Sequence, residues 1–234
     1  MRRDTLRENL NFVRERIARA ARVAGRDGDA VRLVAVTKQV DDAIARALIE
    51  LGVTDLGESR PQELWRKRQL VAGPCRWHLI GPLQRNKARR TLPLVDMIHS
   101  VDSLRLLEWL DSQARELDLQ PAALLEVNVS GEMAKHGFRP DEARTAINSA
   151  GKLERVRVCG LMTMAPYDAE PERARPVFAA LRELCDALRR DAPTNCPLIE
   201  LSMGMSGDFE VAVEEGATIV RVGSALFRGI EVPV

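Results

Sequence analysis

The chain has few of the side chains that build metal centres and disulfide frameworks. Its 234 residues include four cysteines and three histidines, at Cys75, Cys159, Cys185, Cys196, His78, His99 and His136. The cysteines form no CxxC pair and show no ligand-like spacing to the histidines. We therefore expect reduced, structural thiols and no metal site.

A strong net charge and long apolar runs are also missing. Thirty-five Lys and Arg balance 34 Asp and Glu, which gives a net charge of +1 and no global field for nucleic acid or a membrane surface. No apolar run approaches the ~20 residues of a transmembrane helix. The first residues begin a charged segment rather than the apolar core of a signal peptide. We therefore predict a cytoplasmic protein that binds neither nucleic acid nor a membrane.

What is present is enough apolar residues for a full core, since 45% of the chain is hydrophobic. Near the start, Leu6, Leu10, Val13, Ile17 and Ala21 recur at steps of three and four. This spacing predicts an amphipathic helix over 4–24, packed on the rest of the domain. Glycines at 25 and 28 end it.

Short apolar segments then alternate with helical patterns along the chain. The candidate strands cover 32–37, 53–57, 77–81, 97–101, 122–129, 156–164, 198–203 and 217–227. This alternation predicts an α/β fold, a single (β/α)₈ TIM-type barrel over 1–234 with an additional N-terminal helix. An open, doubly wound sheet is the alternative. In a barrel, functional groups lie at the carboxyl ends of the strands.

Lys38 is the most informative of these rim residues, because it directly follows the apolar run Leu33–Thr37. Lysine forms an imine with a carbonyl ligand, and partial desolvation favours the neutral amine that this requires. A surface lysine at a strand end is the plain alternative.

The loops after the last two strands suit a phosphate group. Ser202, Gly204, Ser206 and Gly207 precede a helical stretch that begins near Asp208, and Gly223 with Ser224 ends the last strand. Glycines let the backbone approach an anion closely, and hydroxyls and amides donate to it. The same two loops are the usual phosphate position in such barrels.

Arg221 lies within the eighth candidate strand, on the same face as Ile219 and Gly223. An ion pair with Glu126 or Glu200 would explain it structurally. Alternatively, its permanent charge would keep a heteroaromatic ring nitrogen of a ligand unprotonated. An imine-forming lysine, a phosphate cup and such an arginine together describe a site for pyridoxal 5′-phosphate (PLP).

Several motifs in the same order resemble the YggS/PROSC pyridoxal phosphate homeostasis family, from about residue 31 to the carboxyl end. The matching segments are 34–38 (VAVTK), 57–63 (GESRPQE), 77–81 (WHLIG), 83–87 (LQRNK), 127–132 (VNVSGE), 160–166 (GLMTMAP), 201–206 (LSMGMS) and 220–223 (VRVG). Three positions depart from the family pattern: Ser59 stands where Asn is common, Pro82 where His is common, and Met133-Ala134 where a Glu-Ser type pair is common.

The resemblance implies a fold-type III PLP barrel like the amino-terminal domain of alanine racemase. It implies that Lys38 is the Schiff-base lysine, that Ser202, Gly223 and Ser224 hold the phosphate, and that Arg221 faces the pyridine nitrogen. The remaining residues of the implied cofactor site are Ser59, His78, Met162, Met203 and Gly204. Family members hold and buffer PLP, and pass it to apo PLP-dependent enzymes, without robust turnover. We expect a monomer or a weak homodimer.

Three other functions stay open at this point. A racemase needs a second acid/base opposite Lys38, for which Tyr167, His78 and His136 are the candidates. A class I aldolase would use the same lysine directly on sugar phosphates. Nucleic acid could contact the basic run Arg85, Lys87, Arg89 and Arg90, although no interleaved aromatics accompany it and a solvated helix face is the favoured interpretation.

Overall fold

Eight parallel strands close into a barrel in sequence order, β1 to β8, in the computed structural model, which describes residues 2–132, 136–166 and 170–230. The strands are β1 (Arg32–Val36), β2 (Asp55–Glu58), β3 (Arg76–Leu79), β4 (Met97–Val101), β5 (Ala122–Glu126), β6 (Arg157–Met162), β7 (Glu200–Ser202) and β8 (Ile219–Val222). The predicted barrel is confirmed, and the open sheet is wrong because β8 pairs with β1. Several strands end earlier than predicted, since their last apolar residues already belong to the rim loops.

The helices are α1 (Arg2–Val23), α2 (Asp42–Glu50), α3 (Pro61–Leu70), α4 (Arg85–Thr91), α5 (Leu104–Glu116), α6 (Pro140–Ala150), α7 (Arg175–Arg189) and α8 (Phe209–Glu214). Short 3₁₀ turns cover Gly28–Ala30, Leu92–Leu94 and Pro171–Ala174. Local side chains mark where several α-helices begin. The Asp41 side chain accepts from the Ile44 amide at the start of α2, and a proline is the first residue of α3 and of α6.

The N-terminal helix occupies a structural place in the helical ring. Helices α2 to α8 each follow one of the first seven strands, and α1 contacts both α2 and α8. Arg16 of α1 pairs with Glu210 of α8, and the Asn9 amide donates to the Leu226 and Arg228 carbonyls after β8. Helix α1 therefore fills the gap between the last helix and α2.

The apolar core has two parts on opposite sides of the sheet. The larger lies between sheet and helices and includes Trp77, Phe178 and Phe209. The smaller lies inside the barrel and consists of Val34, Met97, Leu124, Cys159, Met162 and Ile219, with Ala122 packed against it. Buried polar and charged side chains share that interior: Asp55, His78, His99, Ser202 and Arg221.

Close strand approach depends on a glycine in β6. A Cβ on Gly160 would lie 1.8 Å from the Glu200 carbonyl oxygen on the neighbouring β7. No real side chain fits at that distance, so glycine is required for these two strands to pair. Within the described ranges, no helix combines the length and apolar character needed to cross a bilayer.

Candidate functional site

The pairing of β1 with β8 brings the lysine and one phosphate loop to the same part of the rim. Ala35 is opposite Val222, so Lys38 and the Gly223–Ala225 turn continue side by side beyond the sheet. Gly223 packs closely against β1, since a Cβ there would lie 3.4 Å from the Val36 carbonyl oxygen. Lys38 and Gly223, which are 185 residues apart in the sequence, are therefore neighbours at the rim.

Lys38 is exposed at this rim. The sequence suggested partial desolvation of its amine, and the structure does not show it. The residue before it is held firmly, because Lys67 Nζ donates to the Thr37 carbonyl at 2.5 Å and to Glu58 Oε1 at 2.7 Å. The Thr37 hydroxyl also donates to Glu58 Oε1 at 2.7 Å. This buried cluster, which sequence reasoning missed, fixes the backbone from which Lys38 projects.

The loops after β7 and β8 form a cup of backbone donors. The amides of Gly223 and Ala225 both donate to Ser206 Oγ, at 3.1 Å and 3.3 Å. Amide groups that converge on one oxygen are the arrangement that proteins use to bind anions. Ser206 lies in the predicted phosphate loop, but the site residues implied by the resemblance did not include it.

Arg221 is buried, with its guanidinium held by two uncharged acceptors. Nη1 donates to Ser202 Oγ at 2.6 Å and Nη2 donates to the Thr163 carbonyl at 3.0 Å. Burial lowers the pKa of Arg221 to about 10, an effect that nearby Asp208 and Glu126 oppose. The postulated ion pair with Glu200 is wrong, because that carboxylate faces Arg32 at 3.3 Å.

Glu126, the other postulated ion-pair partner, is also buried. Burial raises the pKa of its carboxyl, with a further increase from Asp102 and an opposing effect of Arg221. Glu126 thus influences Arg221 electrostatically, and the salt bridges found among the described residues do not include a contact between the two. The direct partners of the guanidinium remain Ser202 and Thr163.

A line of buried polar groups continues from Arg221 through the barrel. Ser202 Oγ lies 2.8 Å from His99 Nδ1, His99 Nε2 lies 2.9 Å from His78 Nδ1, and His78 Nε2 lies 2.8 Å from Asp55 Oδ1. Asp55 begins β2, so this line ends at the pole opposite to the rim. Burial lowers the pKa of His99 well below its ordinary value.

The carboxylate at the far end is strongly stabilised as an anion. Burial alone would raise the pKa of Asp55, but hydrogen bonds from His78, Arg76 and Thr54 outweigh it and hold that pKa far below its usual range. Arg76 Nη2 lies 2.8 Å from Asp55 Oδ2, and the Thr54 hydroxyl lies 2.7 Å from the same oxygen. Asp55 is therefore a fixed negative charge.

The predicted site residues separate into three locations. Four of them lie at the rim: Lys38, Ser59, Gly223 and Ser224. Ser59 is half-buried, and its carbonyl group packs closely against Gly81. Inside the barrel lie His78, Met162, Ser202 and Arg221. Met203 packs on the helix side of the sheet, so its side chain is not brought to the rim.

Gly204 links the two last strands. Its φ is +91°, a left-handed conformation that suits glycine, and its carbonyl accepts from the Arg221 amide at 3.0 Å. A Cβ there would lie 2.5 Å from the Ala212 Cβ of α8. The glycine therefore lets the loop that carries Ser206 pack against that helix.

Several positions named from the sequence lie elsewhere. Pro82 and His136 are exposed, and Met133, Ala134 and Tyr167 are outside the described residues. In the basic run, Arg85 and Arg90 stack over Trp109 and Trp65 at 5.8 Å and 4.2 Å, so these cations already have aromatic partners. All four cysteines are free, and the described residues contain no group of side chains suited to a metal ion.

Comparison with known proteins gives consistent matches over nearly the whole chain. The family model for the alanine racemase N-terminal domain matches residues 3–230. A pyridoxal phosphate homeostasis protein of Aquifex aeolicus is 41% identical over 221 residues, which are 94% of this chain and 96% of the relative. One of Pseudomonas aeruginosa is 41% identical over 225 residues, covering 95% of each chain.

Two solved structures also match this chain. PipY of Synechococcus elongatus with PLP bound has a TM-score of 0.79 and 37% identity, covering 90% of this chain and 99% of that one. An alanine racemase of Clostridium difficile has a TM-score of 0.75 at 17% identity, covering 96% of this chain but 55% of the racemase. The second match shows a shared barrel fold.

Proposed function

This chain belongs to the pyridoxal phosphate homeostasis protein family, and on that basis we propose that it binds PLP at the barrel rim, attached reversibly to Lys38, and buffers or delivers it. The observation that carries the proposal is that the paired strands β1 and β8 lead side by side into the exposed Lys38 and into a turn whose amides converge on Ser206 Oγ. A solved relative with PLP bound supports it.

The residues present fit the chemical parts of this cofactor. The Ser206 hydroxyl, which accepts from the Gly223 and Ala225 amides, would donate its own proton to the phosphate, with Ser224 beside it at the rim. Arg221 would face the ring nitrogen with the N–H groups that Ser202 and Thr163 do not use. The cofactor when bound supplies an aldehyde, which condenses with a primary amine and releases water.

The charge of Arg221 favours binding of PLP over PLP-dependent catalysis through a carbanion. An arginine keeps its proton rather than passing it to a pyridine nitrogen, so the ring remains a weak electron sink. His78, one of the bases considered for a racemase, is buried and hydrogen-bonded to Asp55 and His99, so it is not available at the rim. The exposure of Lys38 suits exchange with solvent and release.

The test is spectroscopic labelling of purified protein reconstituted with PLP. We expect a yellow protein, and borohydride reduction followed by peptide mapping should place the label on Lys38. Lys38→Ala should fold and lose the label, whereas Lys152→Ala, which removes an exposed lysine elsewhere, should retain it. A colourless protein that cannot be reconstituted, or a label on another lysine, would overturn the proposal.

Holding and turnover are separated by a second measurement. Chiral analysis of amino acids incubated with the loaded protein should show no steady racemisation. Incubation with an apo PLP-dependent enzyme should restore that enzyme's activity as the visible absorbance of this protein declines. Steady turnover at rates typical of racemases would replace the carrier interpretation.

A further inference from the structure

The barrel interior contains an unbroken hydrogen-bonded path between its two ends. It runs from Arg221 through Ser202, His99 and His78 to Asp55, with successive distances of 2.6, 2.8, 2.9 and 2.8 Å. All five side chains are buried. The path crosses from β8 and β7 to β4, β3 and β2, so no local stretch of sequence requires it.

We propose that Asp55 is the counter-anion that positions Arg221 for the ligand, acting through a relay in which every hydrogen bond points in the same direction. The inference rests on the proposed function, because it concerns the arginine assigned to the ring nitrogen. It assigns positioning roles to Ser202, His99, His78 and Asp55, which do not reach the ligand themselves.

The direction of the relay is fixed at its two ends. A guanidinium only donates, so Ser202 Oγ accepts from Arg221 and its hydroxyl proton is available for His99 Nδ1. An ionised carboxylate only accepts, so His78 Nε2 carries a proton and donates to Asp55. The hydrogen bonds at both ends therefore run, donor to acceptor, from the arginine towards the carboxylate.

The hydrogen bond between the two imidazoles runs in the same direction. His99 Nδ1 accepts from Ser202, so the proton of a neutral His99 is on Nε2 and is donated to His78 Nδ1. Both rings are then neutral Nε2–H tautomers, and every donor has an acceptor. A cationic His78 would reverse the central bond and turn the Ser202 hydroxyl away from His99, its acceptor among the described residues.

The consequence for the rim is an arginine of fixed orientation. Ser202 and the Thr163 carbonyl hold both of its terminal nitrogens, and the anion at the far end polarises each bond of the relay. A phosphate contact through the Ser202 hydroxyl would require its proton, which the relay already uses. The Ser206 hydroxyl accepts two amide hydrogen bonds and does not belong to the relay.

The first test needs no ligand. Long-range ¹H–¹⁵N NMR of the histidines should show Nε2–H tautomers for both His78 and His99 at pH 7, with a scalar coupling across the His99 Nε2–H to His78 Nδ1 bond. In Ser202→Ala, the His99 Nδ1 resonance should move to that of an unbonded nitrogen. Ser100→Ala, which removes a buried hydroxyl bonded to the Gly81 carbonyl, is the matched control. An imidazolium or an Nδ1–H tautomer at either ring would overturn the relay.

The second test links the relay to binding of PLP. Asp55→Asn should shift the His78 Nε2–H proton resonance upfield, because a charge-assisted bond becomes neutral, and should raise the PLP dissociation constant about tenfold. Glu154→Gln removes an exposed carboxylate that pairs with Arg115 and contacts no member of the relay, and should change the constant less than twofold. Ser202→Ala repeats the test at the other end if the Asn variant does not fold.

The outcomes separate the two proposals. If wild-type protein binds no PLP, the proposed function fails, while the NMR result still decides the relay. If wild-type protein binds PLP, and both Ser202→Ala and Asp55→Asn bind it as well as their controls do, the positioning role is wrong.

Discussion

Lys67 Nζ lies 2.7 Å from Glu58 Oε1, and both side chains are almost completely excluded from solvent. Isolated buried charges are very costly, so each of these residues depends on the other. The same ammonium group also binds the carbonyl of Thr37, the residue before Lys38. A structural ion pair outside the barrel wall thereby supports the part of the rim at which we propose that PLP binds.

Removing one partner of this pair should destabilise the protein strongly. In Lys67→Met, the Glu58 carboxylate stays buried without its cation, and we expect the free energy of unfolding to fall by about 3–5 kcal/mol. Urea denaturation measures this. The double variant Lys67→Met/Glu58→Gln should recover part of the loss. Glu50→Gln, which breaks an exposed pair with Arg3, should cost about 1 kcal/mol or less.

Asp55 should make stability depend on acid pH. Its pKa is depressed in the fold by hydrogen bonds from His78, Arg76 and Thr54 that outweigh burial, so the unfolded chain takes up a proton first as pH falls. The stabilisation is present above the ordinary Asp pKa of about 3.9 and is lost below it. The difference in unfolding free energy between wild type and Asp55→Asn, about 3 kcal/mol at pH 7, should therefore shrink from pH 5 to pH 2 in urea titrations. A pH-independent difference would contradict this.

The thiols should differ in reactivity according to burial. Burial raises the pKa of Cys185 and of Cys196 to about 11, and Cys159 lies inside the barrel. At pH 8 these residues have little thiolate and little access. Iodoacetamide, followed by peptide mass spectrometry, should label half-buried Cys75 first. All four should react in urea, and fast labelling of Cys185 in folded protein would contradict the structure.

Gly160→Ala should prevent normal packing of β6 against β7. The new methyl group would lie 1.8 Å from the Glu200 carbonyl oxygen, so the strands would have to separate. We expect loss of the folded state or a decrease in unfolding free energy of more than about 3 kcal/mol, measured by circular dichroism and urea. Gly207→Ala, with open space around its Cβ, is the control for folding.

Ser206→Ala should weaken ligand binding without unfolding the protein. The hydroxyl is half-buried and accepts from the Gly223 and Ala225 amides. Its loss removes the hydroxyl that we propose as a phosphate donor and leaves the Gly223 and Ala225 amides without their acceptor. We expect the dissociation constant for PLP to rise about tenfold, measured by absorbance titration. Ser112→Ala, on an exposed face of α5, should bind like wild type.

The sequence was sufficient for features that depend on local pattern. Alternating apolar strands and helices predicted the barrel, and period-two alternation placed Arg221 and Ile219 on the same interior face. The position of Lys38 after β1 followed from the strand pattern alone. Each of these inferences uses residues close together along the chain.

Features that depend on the closure of the barrel could not be read in this way. Ser202 and His99 are 103 residues apart and meet only when the strands pair with the correct stagger. The choice between Ser202 and Ser206 as phosphate contact depends on which hydroxyl faces the loops, and that is set by the end of β7. Partial desolvation of the Lys38 amine was suggested by its place after an apolar strand, whereas its actual exposure depends on how the surrounding loops pack.

The place of α1 in the helical ring has a consequence for biosynthesis. This helix precedes all eight strands and is synthesised before them, yet it packs against α8, which follows seven of the strands. The part of its apolar stripe that α8 covers therefore stays exposed while the intervening strands are synthesised, when chaperones and other nascent chains can bind it. Closure of the barrel then brings together α1 and α8, which lie far apart along the chain, in one late step of high contact order.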